Sequence, residues 1–145
     1  MIKHLTLQHL EYACLELSKS LNMSSTIVPQ LDNRYPGKLE QCLGAPFQRF
    51  SYKDLYVSFE EKASILFYLL IKNHPLENGN KRLACIGLLS FLLINDKWTK
   101  ITPEDLQALS VLVAASTPAL KSQVLDLINR VLRDQCFTNS TMMLK

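Results

Sequence analysis

The chain has 145 residues, enough for one domain with a sizeable core. Hydrophobic residues make up 48% and charged residues 20%, a composition that excludes a disordered chain. The net charge of +3, from 16 basic and 13 acidic residues without a dense basic run, argues against direct nucleic-acid binding.

The N-terminus M-I-K-H-L-T-L-Q-H-L-E-Y lacks the apolar run and cleavage site of a signal peptide. The longest apolar segment, 83–94, is too short to span a bilayer. Cys14, Cys42, Cys85 and Cys136 form no C-x-x-C pair and have no histidine at zinc spacing, so they read as plain thiols of a reducing compartment. These features predict a single domain over 1–145, soluble and cytoplasmic, with no membrane partner.

The elements are mostly helices. Thr6 can cap a first helix over 7–21, where Leu7, Leu10, Cys14, Leu17 and Leu21 recur three and four apart. Residues 22–36 are polar and broken by Pro29, Asn33 and Pro36. A short helix over 37–43 follows. The stretch 46–56 carries Phe47, Phe50, Tyr52 and Tyr56 without helical spacing, which predicts a surface loop or irregular hairpin.

Ser58-Phe59-Glu60-Glu61 is a capping box that opens a helix to about residue 73. Pro75 drives His74 out of the right-handed helical region and ends it. Gly79 permits a positive φ in the turn. The helix over 80–95 is apolar on nearly every side and is expected at the centre of the domain. Thr102-Pro103-Glu104-Asp105 starts a helix to about 115. Ser116-Thr117-Pro118 starts a last helix to about 135. The tail over 137–145 reads as frayed. The fold class is all-α with one small hairpin.

Residues 72–84, K-N-H-P-L-E-N-G-N-K-R-L-A, separate two apolar helices and carry more chemistry than a connector needs. The helix from Asn80 leaves about four backbone N–H groups unpaired at its start and presents roughly half a positive charge there. Such an end binds anions, phosphate above all. Gly79 lets a ligand approach the backbone, and Lys81 and Arg82 add charge that favours an anion. His74 faces the same mouth, and imidazole is the usual general base near neutral pH. Base and anion cradle together point to transfer of a phosphoryl or nucleotidyl group to a hydroxyl. Glu77 and Asn78 offer oxygen ligands for Mg²⁺. Each part also has a plain structural reading: a helix-ending His, a solvated Lys-Arg pair, a common Glu-Asn-Gly turn.

The stretch H-P-L-E-N-G-N-K-R closely resembles the signature H-P-F-x-[D/E]-G-N-[G/K]-R of the Fic/Doc family, and its Doc (death-on-curing) branch in particular. The likeness extends over roughly 35–115, through G-K-L-E-Q-C-L-G-A-P-F and L-L-S-F-L-L-I-N-D. It implies a Fic-type helical bundle with the motif loop, 74–82, between two core helices. It implies a toxin that transfers part of a nucleotide to a hydroxyl of a protein target, using ATP or another NTP and Mg²⁺. For the Doc branch this means a kinase-type reaction on a translation elongation factor, restrained by a separate antitoxin.

Carried over by position, His74 is the implied general base, Asn80 helps order phosphate and metal, and Gly79, Lys81 and Arg82 line the phosphate-binding loop. The stretch 46–56 is the implied flap that holds the target. The sequence departs from the pattern in four places. The magnesium carboxylate of the family aligns with Asn78, beside Glu77. Leu76 replaces the buried Phe. Cys85 stands where AMP-transferring relatives carry a second Arg, and with Lys81 this argues for the Doc-type reaction over AMP transfer. No self-inhibiting [S/T]-x-x-x-E-[G/N] is present. The Asn78 departure leaves open a weakened scaffold that acts as a binding module.

Overall fold

The computed structural model describes residues 1–21, 29 and 31–139. Most of the broken stretch after the first helix, 22–28 and 30, and the tail from 140 lie outside the described residues. Six α-helices carry the fold: α1 (Leu7–Leu21), α2 (Lys38–Gly44), α3 (Phe59–Lys72), α4 (Asn80–Ile94), α5 (Pro103–Ala115) and α6 (Lys121–Gln135). Two antiparallel strand pairs are added: β1 (Arg49–Phe50) with β2 (Lys53–Asp54), and β3 (Lys97–Thr99) with β4 (Cys136–Thr138). The expected all-α class with a small hairpin therefore holds, and no single described helix is long and apolar enough to cross a membrane.

Local chemistry sets the helix starts. Ser58 accepts from the Glu61 N–H at 3.0 Å, while the Glu61 carboxylate reaches one residue past the cap to accept from the Val57 N–H, a variant of the expected capping box at the start of α3. Thr102 accepts from the Asp105 N–H at 3.1 Å and Pro103 occupies the first turn of α5. Pro118 opens a 3₁₀ turn over Pro118–Leu120, and α6 proper begins only at Lys121.

The core lies where α3 meets α4 and α6, with α1 packed on α4. α3 buries Ala63, Ile65, Leu66, Phe67, Leu70 and Ile71. α4 buries Leu83, Ala84, Leu88, Phe91 and Leu92 but leaves Leu93 exposed. Gly87 is a point of close approach: a Cβ there would sit 2.7 Å from Leu70 Cδ1. The lack of a side chain lets α4 lie down on α3, with Leu5 and Leu10 on the other flank.

The segment before α3 runs back along it. The Tyr35 N–H donates to the Pro75 carbonyl at one end, the Cys42 thiol to the Leu69 carbonyl midway, and Lys62 Nζ to the Pro46 carbonyl at the other. That far end is an aromatic pole: Phe59 stacks on Phe91 at 5.0 Å, and Phe47 meets Phe91 edge-on at 6.4 Å.

Two expectations change. The tail was expected to fray from 137, yet Phe137 and Thr138 belong to β4, with Phe137 paired opposite Trp98. The ladder to β3, with the Asn139 N–H donating to the Asp96 carbonyl at 2.9 Å, holds this end. The stretch 46–56 does form a hairpin, with Ser51 and Tyr52 at positive φ (51° and 66°) as a two-residue primed turn requires. It does not lie beside the motif loop as a flap. It leads into the start of α3, whereas the motif follows the end of that 14-residue helix, about 20 Å away at ~1.5 Å per residue. The segment that lies on the motif loop is 33–35, through the antiparallel bridge Arg34–Leu76.

Candidate functional site

The motif loop is a reversal between α3 and α4 pinned at its middle. Asn73 caps α3 through its N–H to the Leu69 carbonyl. His74 then takes a left-handed conformation, φ +46°, which stores strain in a non-glycine residue. Leu76 anchors the turn: its side chain is 1% exposed. The Glu77 N–H donates to the Asn33 carbonyl at 3.3 Å and, with the Tyr35 to Pro75 bond at 2.8 Å, ties the loop to 33–35. Leu does the work of the Phe that the family pattern has there.

Asn80 completes the clamp. Its Oδ1 accepts from the Leu76 N–H at 2.8 Å and its Nδ2 donates to the Leu76 carbonyl at 3.0 Å. Both ends of the amide are thereby oriented. The NH₂ group also faces His74 Nδ1 at 3.4 Å. That contact is favourable only in the tautomer whose Nδ1 carries a lone pair and whose hydrogen sits on Nε2. The side chain expected to order phosphate and metal is thus used first to hold the loop and the histidine.

Gly79, at φ +87°, caps α4 without any side-chain hydrogen bond, and the first turn of α4 has no acid. The helix start therefore keeps its positive end exposed to a ligand. Lys81 and Arg82 are exposed on the first turn. The Arg82 guanidinium folds back over Gly79, with Nη2 3.3 Å from where a Cβ would stand. Glu77 and Asn78 are exposed on the outer side of the turn.

All seven residues singled out from the sequence line one cavity of about 370 Å³: His74, Glu77, Asn78, Gly79, Asn80, Lys81 and Arg82. Ile71 of α3 and Ala114 of α5 supply its remaining walls. The arrangement unites a base, an uncapped helix start and two cations. For metal, the donor set is one carboxylate, Glu77, and one amide oxygen, Asn78. Among the described residues, no group of three or more His, Cys, Asp or Glu could hold an ion alone. Such a set fits Mg²⁺ carried in on phosphate oxygens, the usual state of that ion beside a nucleotide.

Sequence reasoning missed two supports. Lys72 donates to the Ala114 and Ser116 carbonyls, at 3.3 and 2.6 Å, and so fixes the end of α5 as a wall of the cavity. Lysine in the last turn of α3 was the available signal. The 33–35 bridge gave no signal, being three residues of long-range pairing. Cys85, one turn into α4, is held neutral: burial pushes its thiol up to about 11, against a small opposing effect of the Ser110 hydrogen bond. It supplies no charge where a second Arg would.

Residues 5–92 match the family model described as Fic/DOC family. No curated protein and no solved structure matches the chain.

Proposed function

This chain belongs to the Fic/DOC family, whose members are in general transferases acting on proteins, and we propose that it transfers the terminal phosphoryl group of a nucleoside triphosphate to a protein hydroxyl. The observation that carries this reading is the shared cavity, in which His74 and the cationic start of α4 face one another. The hydroxyl oxygen forms the new P–O bond as its proton passes to His74. The bond to the bridging oxygen breaks, and a nucleoside diphosphate leaves. The N–H groups after Gly79, with Lys81 and Arg82, hold the charge that develops on the phosphoryl oxygens. Mg²⁺, held by Glu77 and the Asn78 amide oxygen, would neutralise phosphate charge. Transfer of the terminal group is favoured over AMP transfer because Cys85 stands where a second Arg would, and the described lining of the cavity has Arg82 alone.

The branch that the motif resembles points to a cytoplasmic toxin acting on a translation elongation factor and restrained by a separate antitoxin. A second reading rests on Asn78, an exposed amide at the carboxylate position: a weakened scaffold that binds a nucleotide or partner without turnover. The test is label transfer in a bacterial lysate from ATP labelled at the α- or the γ-phosphorus. Label on protein from γ only, lost in His74→Ala, is the expected result. Label from α would replace this reading with AMP transfer. No label, together with a strong gain in Asn78→Asp, would establish the weakened scaffold.

A further inference from the structure

α5 carries two apolar stripes. Leu106, Leu109 and Val113 lie three and four apart and are buried in the core. Ala108, Val111, Leu112 and Ala115 repeat that spacing about 200° round the helix, at 3.6 residues per turn, and all four are exposed. After Asp105 the helix has no charged residue. A helix that is apolar all round is normally covered all round. α6 shows the contrast: its exposed face carries Lys121, Asp126, Arg130, Arg133 and Asp134. Beside the exposed ridge of α5 runs a groove of about 540 Å³, because α5 and α6 both pack on α3 and leave a gap between them. Ala108, Leu109 and Leu112 form one wall of the groove, and Leu127 and Val131 the other.

We propose that this face takes a second copy of the chain, the ridge of each copy lying in the groove of the other about a twofold axis. Three observations favour that partner. An apolar ridge adjoins an apolar groove, and a twofold rotation lays each onto the other, as a self-complementary interface demands. The groove also carries both signs of charge, Arg130 with Asp105 and Asp134, and among the described residues none of the three makes an ion pair within the chain. Arg130 of one copy can therefore meet an aspartate of the other, twice over by symmetry. Finally, the face is preformed. Thr102 caps the start of α5, and Lys72 donates to the Ala114 and Ser116 carbonyls at its end, so docking costs little ordering. A foreign partner needs one shape and one sign; this face supplies both shapes and both signs. Its ridge and groove side chains lie outside the motif cavity, so the inference stands apart from the phosphoryl-transfer reading.

Sedimentation equilibrium of the full chain over about 1–200 µM, where modest interfaces associate, should show a reversible monomer–dimer equilibrium. Leu112→Glu, at an exposed position, should keep the helical circular dichroism of the parent and abolish the dimer. The charge test needs two chains. Arg130→Glu in one sets acid against acid across the axis, and Asp105→Lys with Asp134→Lys in the other sets base against base. Each alone should associate at least about tenfold more weakly than the parent. Mixed, they restore opposite signs at both symmetry-related contacts, and native mass spectrometry should find heterodimers. A parent that stays monomeric to about 200 µM would overturn the proposal. So would a dimer that Leu112→Glu leaves untouched, or two charge variants that fail to pair when mixed. The charge pair decides by itself if Leu112→Glu loses helicity.

Discussion

Asn80 is the residue whose replacement tests the site most directly. The Leu76 N–H donates to Asn80 Oδ1 at 2.8 Å, and the Leu76 carbonyl accepts from Nδ2 at 3.0 Å, beneath a buried side chain. Each bond contributes about 1 kcal/mol net, and a buried partner left unmade costs about 1–3 kcal/mol. Asn80 is half-buried, so water can reach part of the gap, and Asn80→Ala should lose about 2 kcal/mol in all. In a domain of this size that lowers Tm by about 4–8 °C. Asn80→Asp separates holding from chemistry. The carboxylate still accepts from Leu76, and a negative charge at a helix start contributes about 0.3–1 kcal/mol. The donation to the Leu76 carbonyl is lost and an acceptor faces it instead, so Asn80→Asp should lose about 1–2 kcal/mol, no more than Asn80→Ala. An acid at 80 accepts from His74 and reverses the favoured tautomer, and a misplaced base costs about 100-fold in rate. Thermal unfolding and the γ-label assay, run on both variants, read the two effects apart. Asn80→Ala melting within a degree of the parent would refute the clamp, and full activity in Asn80→Asp would refute the tautomer argument.

Gly79→Ala forces a side chain into φ +87° and sets its Cβ 3.3 Å from Arg82 Nη2. It should cost about 1–2 kcal/mol of stability and weaken tripolyphosphate binding by calorimetry, because the guanidinium must move; unchanged affinity would count against the cradle. Lys62, 3% exposed, donates to the Pro46 and Tyr56 carbonyls and to the Asp54 carboxylate. Lys62→Met should cost on the order of 2 kcal/mol and open the 49–54 hairpin to limited proteolysis, yet leave phosphate binding intact at the other pole. Burial pushes the Cys42 and Cys85 thiols up from the usual 9.0 to about 11. Between those pH values the folded chain binds more protons than the unfolded one, so stability falls as pH rises from 9 to 11, on the order of 1 kcal/mol per thiol. Chemical denaturation across that window should show a shallower fall in the Cys42→Ala, Cys85→Ala double variant.

The helices were legible because their starts carry chemistry that acts locally. Ser58 with Glu61, Thr102 with Pro103, and Gly79 each report a backbone state from within one turn. The seven side chains of the site were legible for the same reason: they lie within nine consecutive residues, so a single reversal brings them together. What failed was long-range placement. The three-residue strands β3 and β4 are too short to show a period, and Phe137 reveals itself only when Trp98 lies opposite. The position of the 46–56 hairpin turned on arithmetic the sequence already held. A hairpin joined to the start of a 14-residue helix cannot also sit at its end unless the chain doubles back, and here it does not.

The two poles of α3 divide holding from chemistry. At the aromatic pole, Phe47, Phe59 and Phe91 pack together and Lys62 meets three oxygen acceptors, so polar and apolar demands are satisfied within the chain. At the motif pole the backbone's demands are left open. His74 and Gly79 both sit at positive φ, α4 starts without a side-chain cap, and two cations occupy a turn whose dipole disfavours them by about 0.3–1 kcal/mol each. The Leu76 anchor, the 33–35 bridge and the Asn80 clamp hold this arrangement in place without relieving it. An anion at the start of α4 relieves it: it takes the orphan N–H groups, turns the sign of the interaction with Lys81 and Arg82, and adds its own binding free energy to stability. On the proposed reading, phosphate binding and the stability of α4 form one coupled equilibrium. The first turn of α4 should gain the most amide-exchange protection when tripolyphosphate is added, while the Lys62 pole stays unchanged.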